Sequence, residues 1–195
     1  MKEKYHDYVF QKDQFVGNFE AMYQNEDLMG YCSWYQDDMK DLGYQLSLTI
    51  LSQYNFESIL DVGCGEGMFT SLLKKKNNHV TGVDISPTAI KKAEARFKDI
   101  VFFVGDINTE VFLQRYDLVV LREVLSYVEN WREVLKSLAN ISKYIFVSLD
   151  LPENPRGFIK SFGELIAEMS LYYEIITMVE ITTAGKQILI LGKVK

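Results

Sequence analysis

The chain is poor in the residues that build disulfide frameworks and metal centres. Its two cysteines, Cys32 and Cys64, stand far apart with no CxxC partner, which argues against a disulfide framework and against a cysteine-based zinc site. There are two histidines, His6 and His79, too few for a histidine-rich metal centre, so no metal is expected. His79 opens an apolar run and reads as a structural or surface residue. No stretch approaches the roughly 20 consecutive apolar residues that span a bilayer. The charged start Met1-Lys2-Glu3-Lys4 is not followed by an apolar signal core, and the expectation is a cytoplasmic protein without membrane contact. Positive charge is also in deficit, with 21 Lys and Arg against 27 Asp and Glu for a net charge of -6. A protein that neutralises many phosphates needs the opposite balance, so a small molecule is favoured over RNA or DNA as partner. Internal repeats and low-complexity tracts are absent.

At 195 residues, 48% of them hydrophobic and a quarter charged, the chain suits one domain with a full core. Residues 1–54 are helical and aromatic in pattern, with Tyr31, Trp34 and Tyr35 among many rings, and read as a helical N-terminal cap. From residue 55 onward short apolar runs alternate with amphipathic ones, the signature of an α/β core with a mainly parallel sheet. Strands are expected at 58–62, 79–84, 100–104, 116–121 and 144–149. Helices are expected at 67–76, with Lys74 to Lys76 at its negative end, and at 87–97, after the cap Ser86 and Pro87. A further helix carries Trp131, Val134, Leu135 and Leu138 behind a capping pair Asn130 and Glu133, and another spans 158–172. The runs 174–182 and 186–194, linked by Thr183-Ala184-Gly185, form a hairpin, so a parallel sheet is expected to finish with an antiparallel strand.

The run Ile59-Leu60-Asp61-Val62-Gly63-Cys64-Gly65-Glu66-Gly67 reads as a buried strand that ends in a glycine turn and opens into a helix. Glycines at alternate positions let the backbone bend sharply and approach a ligand that a Cβ would block. The dinucleotide fingerprint needs its third glycine one place later, where this chain has Met68. Asp61 would repel a pyrophosphate and suits a ligand with an ammonium group instead. Asp84 ends the second strand about 20 residues after the turn, where an acid accepts from both hydroxyls of an adenosine ribose. Gly105-Asp106-Ile107 ends the third strand; Asp106 can accept from an adenine amino group while Ile107 packs on the ring.

These segments, together with Gly82-Val83-Asp84-Ile85-Ser86 and Tyr116-Asp117-Leu118-Val119-Val120, resemble the successive motifs of class I S-adenosylmethionine-dependent methyltransferases across about residues 56 to 150. The resemblance implies a Rossmann-like, doubly wound seven-stranded sheet, mostly parallel with an antiparallel C-terminal hairpin strand. It implies S-adenosylmethionine as cofactor and S-adenosylhomocysteine as product. The glycine turn Gly63, Cys64, Gly65 and Gly67 would hold the methionine end, Asp84 and Ile85 the ribose, and Asp106 and Ile107 the adenine, with Asp61, Arg122 and Trp34 also at the cofactor. Leu121-Arg122-Glu123-Val124-Leu125-Ser126-Tyr127 and Gly30-Tyr31-Cys32-Ser33-Trp34-Tyr35 carry a narrower likeness to the nodulation protein S-like small-molecule methyltransferases, whose acceptors are amino-sugar oligosaccharides.

Transfer from a sulfonium to an amine needs positioning above all. An alcohol acceptor would profit from a base, for which Glu123 and Tyr127 are the candidates, since the histidine that many relatives carry near Tyr127 is absent. The N-terminal aromatics can face a cation, with Trp34 and Tyr31 the leading candidates. The expected activity is methyl transfer to nitrogen or oxygen of a small-molecule acceptor, a sugar among the choices. Methylation of protein or tRNA, and a non-catalytic cofactor-binding subunit, are the alternatives.

Overall fold

The computed structural model describes residues 6–12, 14–110, 112, 114–182 and 186–195. Strands β1 (Ser58–Val62), β2 (His79–Asp84), β3 (Val101–Val104), β4 (Tyr116–Arg122), β5 (Ser142–Asp150), β6 (Tyr173–Ile181) and β7 (Gln187–Val194) form one sheet in the order β3-β2-β1-β4-β5-β7-β6. The first five are parallel, and β7 lies antiparallel between β5 and β6. This is the doubly wound sheet with an antiparallel terminal pair that the sequence predicts. Residues 183–185, expected to turn the hairpin, lie outside the described residues.

Helices α1 (Phe19–Met29), α2 (Leu42–Ser52), α3 (Met68–Leu73), α4 (Pro87–Arg96), α5 (Trp131–Ala139) and α6 (Phe162–Tyr172) accompany the sheet, preceded by one helical turn at His6–Val9 and a small hairpin of Phe10–Gln11 with Gln14–Phe15. Both faces of β4 are covered. Leu118 and Val120 pack with Tyr44 of α2 and Phe69 of α3, while Val119 and Leu121 pack with Trp131 and Leu135 of α5. All four strand residues are 0% exposed, which is why β4 reads as an unbroken apolar run. The outer strand β6 instead alternates between covered and exposed residues, as an edge strand does. Among the described residues no helix is long and apolar enough to cross a membrane.

Three local expectations are corrected. Helix α3 stops at Leu73, and Lys74 is already extended. Buried Asn78 causes this: its Nδ2 donates to the Leu73 carbonyl (2.9 Å) and its Oδ1 accepts from the Lys75 N–H (2.7 Å). Lys74 to Lys76 therefore lie past the helix. Helix α6 begins at Phe162 because Ser161 and Glu164 form a capping box there. Asn130 stands at the N-cap of α5 without a side-chain cap bond, its Oδ1 buried and unpartnered; α5 is anchored by Trp131, 1% exposed.

At the α6–β6 junction the buried Tyr173 hydroxyl donates to the Leu135 carbonyl of α5 at 3.0 Å. Tyr173→Phe keeps the ring and removes that hydroxyl donor, and should lower stability by about 1 kcal/mol in urea denaturation. An unchanged midpoint would show that the bond contributes nothing net.

Candidate functional site

Strand order reverses between β1 and β4, and the loops after the parallel strands meet above that crevice, where open α/β sheets bind ligands. The turn after β1 is drawn over the end of β2, with the Gly63 and Cys64 N–H groups both donating to the Val83 carbonyl (2.7 and 3.0 Å). The backbone is left-handed at Gly63, Gly65 and Gly67, a conformation that L residues rarely adopt. A Cβ on Gly65 would lie 2.3 Å from Gln36 Oε1. The turn is therefore a cradle that only glycine permits.

Asp84 ties this cradle to the next loop. Its Oδ2 accepts from the Gly65 N–H and its Oδ1 from the Ser86 N–H, both at 2.9 Å. Burial raises its carboxyl above the usual range, and these N–H donors oppose the rise. The neighbouring Ile85 is 47% exposed, an apolar surface at the end of β2. At the end of β3, Asp106 Oδ1 accepts from the N–H and amide of Asn108 (2.9 and 2.7 Å), and Ile107 is half-buried against the core. Asp84 and Ile85 thus stand at the end of β2, and Asp106 and Ile107 just past the end of the neighbouring β3.

Asp61 sits lower than expected. It is 2% exposed, with Oδ2 accepting from the Thr70 hydroxyl of α3 at 2.6 Å. It supports the turn from beneath. Arg122, on the same face of the sheet, lies over the Tyr44 and Phe69 rings (4.5 and 5.5 Å) with Asp41 at 3.5 Å. Cys64 is buried within the turn, and its thiol is pushed up by that burial.

Residues that sequence reasoning missed fasten the N-terminal segment to the cradle. Gln36 Oε1 accepts from the Glu66 N–H (2.8 Å), and its Nε2 donates to the Tyr23 hydroxyl (3.0 Å). Glu20 accepts from both the N–H and the hydroxyl of Thr88 and from the Ser86 hydroxyl at the start of α4. Lys92 of α4 pairs with Glu26 of α1 and with Glu66 of the turn, while Arg96 meets Asp37 and Glu66. No periodicity announces such contacts.

The surroundings of the turn after β4 are aromatic. Tyr127, in the short turn Leu125–Tyr127, is ringed by Phe10, Phe15, Phe19 and Trp34 at centroid distances of 5.3 to 6.3 Å. Burial pushes its hydroxyl well above the usual range, which favours the protonated phenol, a hydrogen-bond donor, at neutral pH. Trp34 itself is in the left-handed region at φ 61°. Tyr31, beside Tyr8, donates its hydroxyl to the Met22 carbonyl at 2.6 Å. Glu123 also has a left-handed backbone, at φ 59°. Its carboxylate accepts from the Ser148 hydroxyl (2.7 Å), the Gln187 amide (2.8 Å) and the Asp150 N–H (2.6 Å). This carboxylate is committed to binding β5 and β7.

Comparison with known proteins agrees with this geometry. A family profile described as a methyltransferase domain matches residues 31–180. Nodulation protein S of Sinorhizobium fredii is 33% identical over 94 residues, 47% of this chain and 44% of that protein. A trans-aconitate 2-methyltransferase of Escherichia coli is 30% identical over 110 residues, 55% of this chain and 44% of that protein. The chain thus spans about half the length of these curated relatives. In fold, it matches the crystal structure of N-methyltransferase NodS from Bradyrhizobium japonicum in complex with S-adenosylhomocysteine. The TM-score is 0.76 at 21% identity, covering 88% of this chain and 97% of that one.

Burial lifts the Asp61 carboxyl to about 7, against the opposing Thr70 hydrogen bond and Arg122 charge. In the unfolded chain an aspartate titrates near about 3.9. Between those values the folded chain keeps a proton that the unfolded chain has released, so this group makes stability fall as pH rises, reaching a floor above the folded value. Asp61→Asn still offers Thr70 an acceptor and removes that slope. Urea denaturation from about pH 5 to about pH 8 should show the wild type losing stability relative to the variant; parallel profiles would place the aspartate in a more polar setting.

Proposed function

This chain belongs to the methyltransferase-domain family, and from that premise we propose that it transfers a methyl group from S-adenosylmethionine to nitrogen or oxygen of a small-molecule acceptor. The observation that carries the reading is Asp84, whose carboxylate is fixed at the end of β2 by the Gly65 and Ser86 N–H groups. Each of its oxygens has a further lone pair with which it could accept from a ribose hydroxyl. The cofactor supplies an electrophilic methyl on a positively charged sulfur, so the chain needs to supply alignment and a dry setting.

Each part of the site suits that task. The left-handed turn at Gly63, Gly65 and Gly67, backed by the Val124, Gln36 and Phe102 side chains, would receive the amino-acid end of the cofactor. Ile85 and Ile107 offer apolar faces for the adenine, and Asp106 offers it an acceptor. Trp34 and Tyr127, 5.3 Å apart, present π-faces that favour a sulfonium over a neutral sulfur. Tyr127 donates a hydrogen bond that orients the acceptor. Glu123 acts as a positioning residue, holding the β4 end that leads to Tyr127. The curated relatives include one named as a nodulation protein and one named for trans-aconitate, so kinship supports a small acceptor without choosing among acceptor classes.

Calorimetric titration with S-adenosylhomocysteine should give micromolar binding, with NAD as a ligand that fails to bind. Binding of neither would overturn the reading. Asp84→Asn should weaken binding by about 100-fold, as expected for two charge-assisted hydrogen bonds at about 1.5 kcal/mol each. It should also cost some stability, because Gly65 or Ser86 loses its acceptor. Undiminished affinity in the folded variant would remove the ribose assignment. Tyr127→Phe should lower turnover several-fold at unchanged cofactor affinity; equal turnover would return Tyr127 to packing alone.

A further inference from the structure

Arg122 ends β4 with its side chain on the face of the sheet that carries α2 and α3. The partly exposed guanidinium lies over the Tyr44 and Phe69 rings. Its ion pair among the described residues is with Asp41 Oδ1 at 3.5 Å, an atom that already accepts the Tyr44 N–H at 2.7 Å as the N-cap of α2. Among the described residues the guanidinium makes no hydrogen bond. Tyr44, under it, is 1% exposed, and its hydroxyl is buried without a hydrogen-bond partner among the described residues. Burial pushes that hydroxyl up to about 12, with the Arg122 charge opposing the rise, so at neutral pH it is an unused donor.

Both groups border the glycine turn. Val124, just past Arg122, sits where a Cβ on Gly63 would lie 2.3 Å from its Cγ2. Phe69, edge-on to Tyr44 at 5.2 Å, belongs to the helix that the turn opens. Gly43 brings the start of α2 so close to Gln187 that a Cβ would lie 1.8 Å from its Oε1, and Gln187 in turn holds Glu123. The end of β4 and the start of α2 are thereby fixed side by side. Lys92 and Arg96, which also border the turn, are engaged by Glu26, Glu66 and Asp37.

Resting on the methyl-transfer reading, we propose that Arg122, together with the Tyr44 hydroxyl, binds the carboxylate at the amino-acid end of the cofactor and so selects it over adenosine compounds that lack that group. A guanidinium stacked on aromatic faces keeps its N–H edge for a carboxylate. The ligand's two oxygens serve two donors, the guanidinium and the hydroxyl, and the hydroxyl gains the acceptor it lacks. Asp41 is a weak competitor, since its pair with Arg122 is long and half exposed. Asp84 acts on the ribose, so the carboxylate contact is separable from nucleoside binding.

Calorimetric titration of S-adenosylhomocysteine against S-adenosylthiopropylamine, the same molecule without its carboxylate, tests this. The wild type should prefer S-adenosylhomocysteine by about tenfold or more, the worth of a charge-assisted contact. Arg122→Gln should lose about tenfold in affinity for S-adenosylhomocysteine and keep its affinity for the decarboxylated compound, so that the preference collapses. Arg122→Lys should recover part of it. Tyr44→Phe should lose several-fold on S-adenosylhomocysteine alone. Because it removes a hydroxyl that has no partner, its urea midpoint in the absence of ligand should stay at or above that of the wild type. A wild type without the preference, an unchanged preference in Arg122→Gln, or an equal loss for both compounds would overturn the proposal. A lower midpoint in Tyr44→Phe would show that the hydroxyl already has a partner and would remove it from the site. Failure of the wild type to bind either compound would instead strike the methyl-transfer reading.

Discussion

The carboxylate of Asp84 is the constraint on which the candidate site depends. It is buried, which disfavours its charge, and it is retained there by backbone donors from two different loops. One donor belongs to the glycine turn after β1, the other to the start of α4. A single side chain therefore sets the spacing between the part of the crevice suited to an amino acid and the part suited to a nucleoside. Because both donors are main-chain groups, neither element can shift without stranding an N–H.

The parts of the fold that were legible in the sequence are those buried on both faces. Residues 58–62 and 116–122 form apolar runs because helices cover both sides of the sheet, and the turn beyond Val62 announced itself by glycines that adopt left-handed backbone. The limits of α6 were less legible. The capping box of Ser161 and Glu164 was there to be read, but Phe158 and Ile159 just before it looked like the helix's own apolar face. They serve the loop instead, Ile159 being 0% exposed in the core. The depth of Asp61 was not legible, because its position next to the turn says nothing about burial; the Thr70 hydroxyl of the following helix meets it there. Gln36 and Glu20 escaped notice altogether, since they meet partners 30 and 66 positions away through contacts with no sequence period.

The N-terminal segment is joined to the core mainly by charge and hydrogen bonds where it passes the glycine turn, and by aromatic packing where it passes Tyr127. These two modes respond differently to conditions. The ion pairs of Lys92 and Arg96 with Glu26, Asp37 and Glu66 are partly exposed and weaken as salt rises. The contacts among Phe10, Phe15, Phe19 and Tyr127 are apolar and weaken on cooling. The end of the segment at the glycine turn and the end at Tyr127 are thus secured by forces with separate dependences.

Strand β7 lies inside the sheet although it follows β6 in the chain. During synthesis β6 emerges before β7, beside which it pairs at the edge of the sheet formed by the described residues. The helix before it can dock on the growing core, but β6 must wait with its hydrogen-bonding groups in water until β7 is made and inserts against β5. The exposed face of β6 carries Glu174 and Glu180 beside Ile176 and Met178. Where ribosomes on one message bring identical nascent chains close together, those two charges discourage the waiting strand from pairing with its copies.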